Sequence, residues 1–496
     1  MNRKFIRIAE IIEYVFTFLY FFTCALFYSV SNKLYWLFLA LGLLSLCLGL
    51  YAESIHNRLE KNREFEKKDK ITLLVIGCIS IIAFPACVFN ILALFTNKEC
   101  KEKEVKEKPV KEEKPKKWYT KLSVIIGLSS LVGIMCFSVS GHLFETNGGK
   151  VIVKDYTLRK EDTDKYNRGQ PLNGKEYTID DPTVSVSYTM YKPKQASASN
   201  PLPVTFVLPG FTRTKATMSQ YAIEFTKRGS VVFVVDPGSQ GATSYGGYQY
   251  NVETGEYVLD ANGKKIQNSY SVAYSGMGYV LQYVYNNIDQ FDFIDRDRIG
   301  LVGHSAGGGD ACKLTAELAG DNYSQSIVKA LYISGYIKTS AANQFYNLRC
   351  NTALSYAKYD EGSFRYQDEN QAYEVIALRF INEVNSKTAG ANGKFDEFEH
   401  DKDYGDFEAG TYRILHHEDI NHCFEMYDKI SISNTIKFFR RSLKLDTNKD
   451  DSSHSWFGKE LSNGLALISA FTLVICLLDV VVTFVPFMKS LKKESE

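Results

Sequence analysis

The stretch RIGLVGHSAGGGDACKL, residues 298–314, decides the fold. Its first half is a short apolar run, and its second half has helical spacing. Between them stands Gly303-His304-Ser305-Ala306-Gly307, a serine flanked by glycines where strand gives way to helix. G-x-S-x-G in that setting predicts a nucleophile elbow, a turn so tight that small residues must flank the serine. A five-residue pattern is weak by itself, so its weight rests on the surrounding chain.

Outward from this stretch, short β-branched runs alternate with amphipathic ones from Pro203 onward. PVTFVLPG, SVVFVVDPG, VKALYISGYI, NTALSYAKYD and TYRILHHED read as strands by length and composition. KATMSQYAIEFTKRG with its terminal Gly229, AYSGMGYVLQYVYNNI, DACKLTAELAG, ENQAYEVIALRFINEV and FEMYDKISISNTIKFFRRSL read as helices. Such alternation predicts a mainly parallel sheet with helices on both faces. Ligands of such sheets bind at the carboxyl ends of the strands. Upstream, Val151–Tyr191 is strand-rich, and TVSVSYTMYKP alternates with period two, as in an antiparallel edge hairpin. Tyr245–Ser269 reads as a polar insertion with turns at Thr254-Gly255 and Asn262-Gly263.

A serine hydroxyl needs an adjacent base, usually a histidine oriented by a carboxylate. The chain has eight histidines. His56 and His142 fall beside apolar spans, and His304 sits inside the elbow, where its side chain should point elsewhere. His454 lies in a polar linker. Of the remaining His400, His416, His417 and His422, the pair His416 and His417 belongs to the last predicted strand. His422 lies on the loop after it, where a base must hang over the sheet, and is the leading candidate. For the acid, Asp360 closes the strand NTALSYAKYD, with Glu361 as its rival. An oxyanion takes two backbone N–H donors; Ala306, next to the serine, and Phe211, in the loop after PVTFVLPG, are the candidates.

Residues 183–443 resemble the α/β-hydrolase fold, and most of all its dienelactone-hydrolase-like and esterase branches. The carriers are PVTFVLPGFTRTK, YAIEFTKRGSVVFVVDPGSQGAT, DFIDRDRIGLVGHSAGG, YAKYDE and NHCF. Many relatives have histidine where this chain has Pro209. The resemblance implies a serine hydrolase with Ser305, Asp360 and His422 as triad and the Phe211 and Ala306 amides as oxyanion donors. It also implies hydrolysis of carboxylic esters through an acyl-enzyme, ahead of amide or peptide hydrolysis and acyl transfer to a lipid. A non-catalytic, hydrolase-like membrane scaffold is the reading of another class. Extra residues lie between Asp360 and the last strand instead of in a cap before it, which leaves the substrate open.

Five stretches are long and apolar enough to span a bilayer, a length of roughly 20 residues: Ile11–Val30, Leu34–Ala52, Ile71–Phe95, Leu122–Phe144 and Leu461–Met488. Grouping four in the first 144 residues is foreign to a soluble domain. The first is followed too closely by the second to read as a cleavable signal. The expected plan is therefore membrane spans within 1–95, a charged Lys/Glu linker at 96–121, a transmembrane helix at 122–144 and an α/β-hydrolase domain at 145–444. A polar tether at 445–460, a transmembrane helix at 461–488 and a basic tail at 489–496 complete it. The ten lysines between Thr96 and Lys121 and the tail KSLKKESE favour the cytoplasm, which puts the central domain on the outer face of the cell membrane. The basic N-terminus resists five full crossings, and Ile71–Phe95, interrupted by Pro85, could enter and return.

Lysine and arginine number 58 against 57 acids, so no strongly basic face argues for nucleic acid. The expected partners are the bilayer and a small-molecule or lipid ester. Of ten cysteines, Cys312, Cys350 and Cys423 fall in the central part, without disulfide or metal-ligand spacing. FDEFEHDKDYGDFE (395–408) and LDTNKDDSSH (445–454) lack the glycine placement of a calcium loop. No cofactor or metal is expected. Tyr270, Tyr274, Phe345 and Tyr346 are aromatic candidates for a pocket lining.

Overall fold

The computed structural model describes residues 122–244, 247–267, 276–360, 373–385, 395–446 and 448–484, with isolated positions between 11 and 53. It divides into two compact units: 142–459 is one, and 1–141 with 460–496 is the other.

The larger unit is built on an eight-stranded sheet. Its strands are β1 (Val151–Arg159), β2 (Ser185–Pro193), β3 (Leu202–Leu208), β4 (Val231–Val235), β7 (Ile294–His304), β8 (Ala330–Ser334), β9 (Asn351–Tyr359) and β10 (Arg413–Asn421). Their spatial order is β1-β2-β4-β3-β7-β8-β9-β10. β1 and β2 pair antiparallel, as do β2 and β4; the other neighbours run parallel. The predicted edge pair is therefore present, with a helix and a long loop between its strands instead of a tight turn. The polar insertion forms a separate small hairpin, β5 (Tyr250–Asn251) with β6 (Glu256–Tyr257). Both of its predicted turn glycines, Gly255 and Gly263, have positive φ. This is the mainly parallel sheet with helices on both faces that the alternation of strands and helices predicts.

The central strands are buried on both sides, and their period of two sorts side chains into two cores. Val231, Phe233 and Val235 of β4 enter one apolar cluster; Val232 and Val234 enter the other. The first cluster takes the faces of α4 (Met277–Asn286), α5 (Ala306–Glu317), α6 (Thr339–Phe345) and α7 (Tyr373–Asn385). The second takes α3 (Ser219–Thr226) and α8 (Lys429–Ser442). α2 (Lys160–Tyr166) lies between β1 and β2. Asp428 caps α8 by accepting from the Ser431 amide at 2.8 Å.

Within the polar tether, predicted at 445–460, the stretch that leads into α9 (Trp456–Phe484) is strapped to the larger unit, which runs to Lys459. Fully buried Glu224 on α3 accepts from the amides of Ser455 (2.6 Å) and Trp456 (3.0 Å) and pairs with Arg228 at 2.9 Å. Arg228 in turn donates to the carbonyls of Asp450 and Ser453. A buried ion pair that also satisfies a helix N-terminus leaves no slack in the linker.

α1 (Leu122–Glu145) and α9 (Trp456–Phe484), most of whose residues belong to the smaller unit, carry the two segments, Ser123–Glu145 and Trp456–Val481, that are long and apolar enough to cross a membrane among the described residues. Small residues face one another where they meet: a side chain on Gly127 would touch Cys476, and one on Gly133 would press on Ser469. Close approach over small residues is how helices associate in lipid. The three earlier predicted spans, apart from a few positions, and the predicted linker at 96–121 lie outside the described residues, as does the 489–496 tail.

Candidate active site

β7 ends at His304 and α5 begins at Ala306, so Ser305 alone makes the turn, with φ 55° and ψ −126°. An L-residue with φ in that region is strained, and the backbone around it must hold it there. The glycines are a steric requirement: a methyl on Gly303 would strike the Gly307 carbonyl, and one on Gly307 the carbonyls of Leu208 and Pro209. Gly210 has the same constraint, since its Cβ would lie 2.7 Å from that of Ser305. The Ser305 amide donates to the Ser334 carbonyl at 2.8 Å, tying the elbow to the end of β8.

His422 opens a 3₁₀ turn (His422–Tyr427) directly after β10. Its Nε2 lies 2.9 Å from Ser305 Oγ. Asp360, 2% exposed at the end of β9, puts Oδ2 3.2 Å from His422 Nδ1. These three residues, chosen by chain order, are thus brought together at the carboxyl edge of the sheet. Glu361 lies outside the described residues. The other histidines stand apart from Ser305: His416 Nδ1 meets Asp401 at 2.6 Å, His400 Nε2 meets Tyr356 at 2.5 Å, and His417 stacks on Tyr356. His454 Nε2 meets Ser433 at 2.9 Å.

A second carboxylate was not anticipated. Glu425, fully buried, places Oε2 3.1 Å from the same His422 Nδ1 and 2.9 Å from His304 Nε2. The His304 ring stacks against His422, with centroids 4.8 Å apart. So the elbow histidine does point away from the serine, but it ends beneath the base. The His422 N–H lies between Asp360 and Glu425 and aligns squarely with neither. The only signal in the sequence was the spacing His422-x-x-Glu425, which one 3₁₀ turn brings to the same side.

Burial pushes the His422 pKa down, but the Asp360 and Glu425 carboxylates beside its Nδ1 outweigh it and raise it to about 9. Burial lowers that of His304 despite Glu425; facing a carboxylate, which only accepts, His304 Nε2–H is the donor. His304, His422 and Glu425 are also metal-ligand types, with ligand atoms within 4.8 Å of one another. Their closest N···O separations, 2.9 and 3.1 Å, are hydrogen-bond distances. Ligands held tetrahedrally by zinc at about 2.0–2.1 Å would stand about 3.3 Å apart.

A cleft of about 350 Å³ opens beside Ser305, lined by Pro209–Thr212, Pro237–Gln240, Ala306 and Asp310. Both proposed amide donors are on its wall. Ala306 is the first residue of α5, where an N–H has no partner within the helix. Phe211 follows β3 with its ring 75% exposed. The far wall is pinned by Asp236 at the end of β4, which accepts from the amides of Lys215 (2.6 Å) and Ala242 (3.1 Å). Of the expected pocket aromatics, Phe345 is instead fully buried against Phe380, and Tyr346 is half exposed. Tyr270 and Tyr274 lie outside the described residues.

No family model matches the sequence, and no curated protein matches it. Solved structures similar to the chain include a Klebsiella pneumoniae protein described as a dienelactone hydrolase, 11% identical over 58% of this chain and 98% of that one, with a TM-score of 0.33. A Pyrococcus furiosus esterase is 12% identical over 60% and 93%, with a TM-score of 0.36. An S-formylglutathione hydrolase from Agrobacterium tumefaciens is 14% identical over 59% and 96%, with a TM-score of 0.35.

Proposed function

We propose that this protein is a membrane-anchored serine hydrolase of carboxylic esters. The observation that carries the reading is the 2.9 Å approach of His422 Nε2 to Ser305 Oγ on a strained elbow. In this reading Ser305 attacks the ester carbonyl as its proton passes to His422, and Asp360 holds the imidazole through Nδ1. The Phe211 and Ala306 amides receive the oxyanion, where preorganised donors act most strongly. His422 returns the proton to the leaving alcohol, and water activated by the same histidine resolves the acyl-enzyme.

The apolar helices α1 and α9 anchor the chain, and the predicted N-terminal spans, 1–95, add to the anchor. The lysine-rich 96–121 segment faces the cytoplasm, and the hydrolase domain faces outward. An ester borne by a lipid or by another acylated surface molecule is the substrate class that suits an anchored enzyme.

Hydrolysis of p-nitrophenyl esters by the detergent-solubilised chain tests the chemistry. Turnover by wild type and its loss in Ser305→Ala is the expected result; no turnover and no fluorophosphonate labelling would favour a scaffold. A membrane-impermeant fluorophosphonate tests the placement: labelling of intact cells is expected, and labelling only of opened cells would reverse it.

A further inference from the structure

We infer that Glu425 is a second acid for His422, so that the base is oriented by a pair of carboxylates, Asp360 and Glu425, and not by one. The inference rests on the hydrolase reading of Ser305 and His422 and adds a positioning residue to it. Its basis is geometric. The two carboxylates stand at matching distances from one nitrogen, 3.2 and 3.1 Å, from opposite directions along the chain: the end of β9 and the turn after β10.

Glu425 is held for this position. His304 Nε2–H donates to the oxygen that faces His422, and the stacked imidazoles keep both rings in register. Gly335, just past β8 with φ 62°, leaves the space: a Cβ there would collide with Glu425 Oε2 and lie 2.8 Å from His422 Cε1. A carboxylate with no exposed surface is costly unless it is paired and hydrogen-bonded. Two neutral imidazoles compensate it poorly, and an imidazolium compensates it well.

The consequence appears in the chemical step. As the Ser305 Oγ–C bond forms, the hydroxyl proton moves to Nε2 and makes His422 an imidazolium. Its Nδ1–H then lies between two negative carboxylates, and each stabilises the new charge. Other charged or titratable groups around the pair are His304 from β7, Arg213 from the loop after β3, Tyr221 from α3 and Glu418 from β10. Arg213 donates to the Cys423 carbonyl, and Glu418 is engaged by Ser355 and Asn434. Tyr221 and Glu418 lie close enough to Glu425 to feel its charge.

The test uses the full chain in detergent micelles with a p-nitrophenyl ester, comparing wild type, D360N, E425Q and D360N/E425Q across pH. Loss of the lone acid of a triad costs about 10⁴-fold in kcat. With two acids, D360N keeps roughly a tenth to a hundredth of wild-type kcat/KM, and only the double variant falls by about 10⁴. E425Q also moves the midpoint of the acid limb to lower pH by about one unit, and E425D restores part of that shift. A full 10⁴-fold loss in D360N alone, or an unmoved midpoint in a folded E425Q, overturns the inference. If wild type shows no ester turnover, the hydrolase reading fails separately. The pairing is then read from the His422 imidazole ¹⁵N titration: a lower midpoint in E425Q supports it, and an unchanged one rejects it. D360N needs no change at Glu425, so the first arm survives if E425Q does not fold.

Discussion

Glu224 and Glu425 are both fully buried and both hold charged or polar partners, yet they do opposite work. Glu224 faces the side-chain cations of Arg228 and Lys227. Burial pushes its pKa up, but Lys227, Arg228 and the Ser455 amide pull it below the ordinary carboxylate value. The result is a fixed ion pair that straps the linker before α9. Glu425 faces two imidazoles, whose charge depends on where a proton sits. What separates a structural carboxylate from a functional one here is not burial. It is whether the partner can change charge.

The sharpest way to break this contrast is to remove the switchable partner. His422→Ala leaves Ser305 without a base, and ester turnover should fall by about 10⁴- to 10⁶-fold in kcat, read by initial rates. Retention within tenfold would place the base elsewhere, with His416 and His417 the next to test.

Glu224→Gln should act on the other side of the comparison. Breaking one partner of a buried pair costs about 3–5 kcal/mol. A lower melting temperature with kcat/KM unchanged per folded molecule is expected. Lost activity at unchanged stability would tie the strap to the chemistry and erase the distinction.

pH separates the two more gently. The His422 pKa is raised by its carboxylates, so its stabilisation is complete below about 6.5 and is lost as pH rises through about 9. Glu224 is depressed, so its stabilisation is present above the ordinary glutamate value and is lost as pH falls through its lowered one. Catalysis needs neutral His422, so kcat/KM should climb with pH toward about 9. A flat profile between pH 6 and 9 would mean that the carboxylates do not raise the base.

The strands and the elbow were legible because their causes are local. β3, β4 and β8 are short apolar runs, and Gly303, Gly307 and Gly210 are demanded by the atoms they touch. His422 could be placed by its position after the last strand. Glu425 escaped because nothing local marks it: its meaning comes from His304, 121 residues earlier, and from the room Gly335 leaves. The strap escaped for the same reason. Glu224 looked like one polar residue on an amphipathic helix, and its partner amides lie 231 and 232 residues downstream.

The central claim is that Ser305 is an acylated nucleophile. The chain should be mixed with excess p-nitrophenyl acetate, quenched in acid within a second and digested for mass spectrometry. An acetyl group on the peptide that carries Ser305 in wild type, and none on that peptide in Ser305→Ala, is the predicted result. Release of p-nitrophenol with no acetylated Ser305, or an adduct that persists on another residue in the variant, would contradict it.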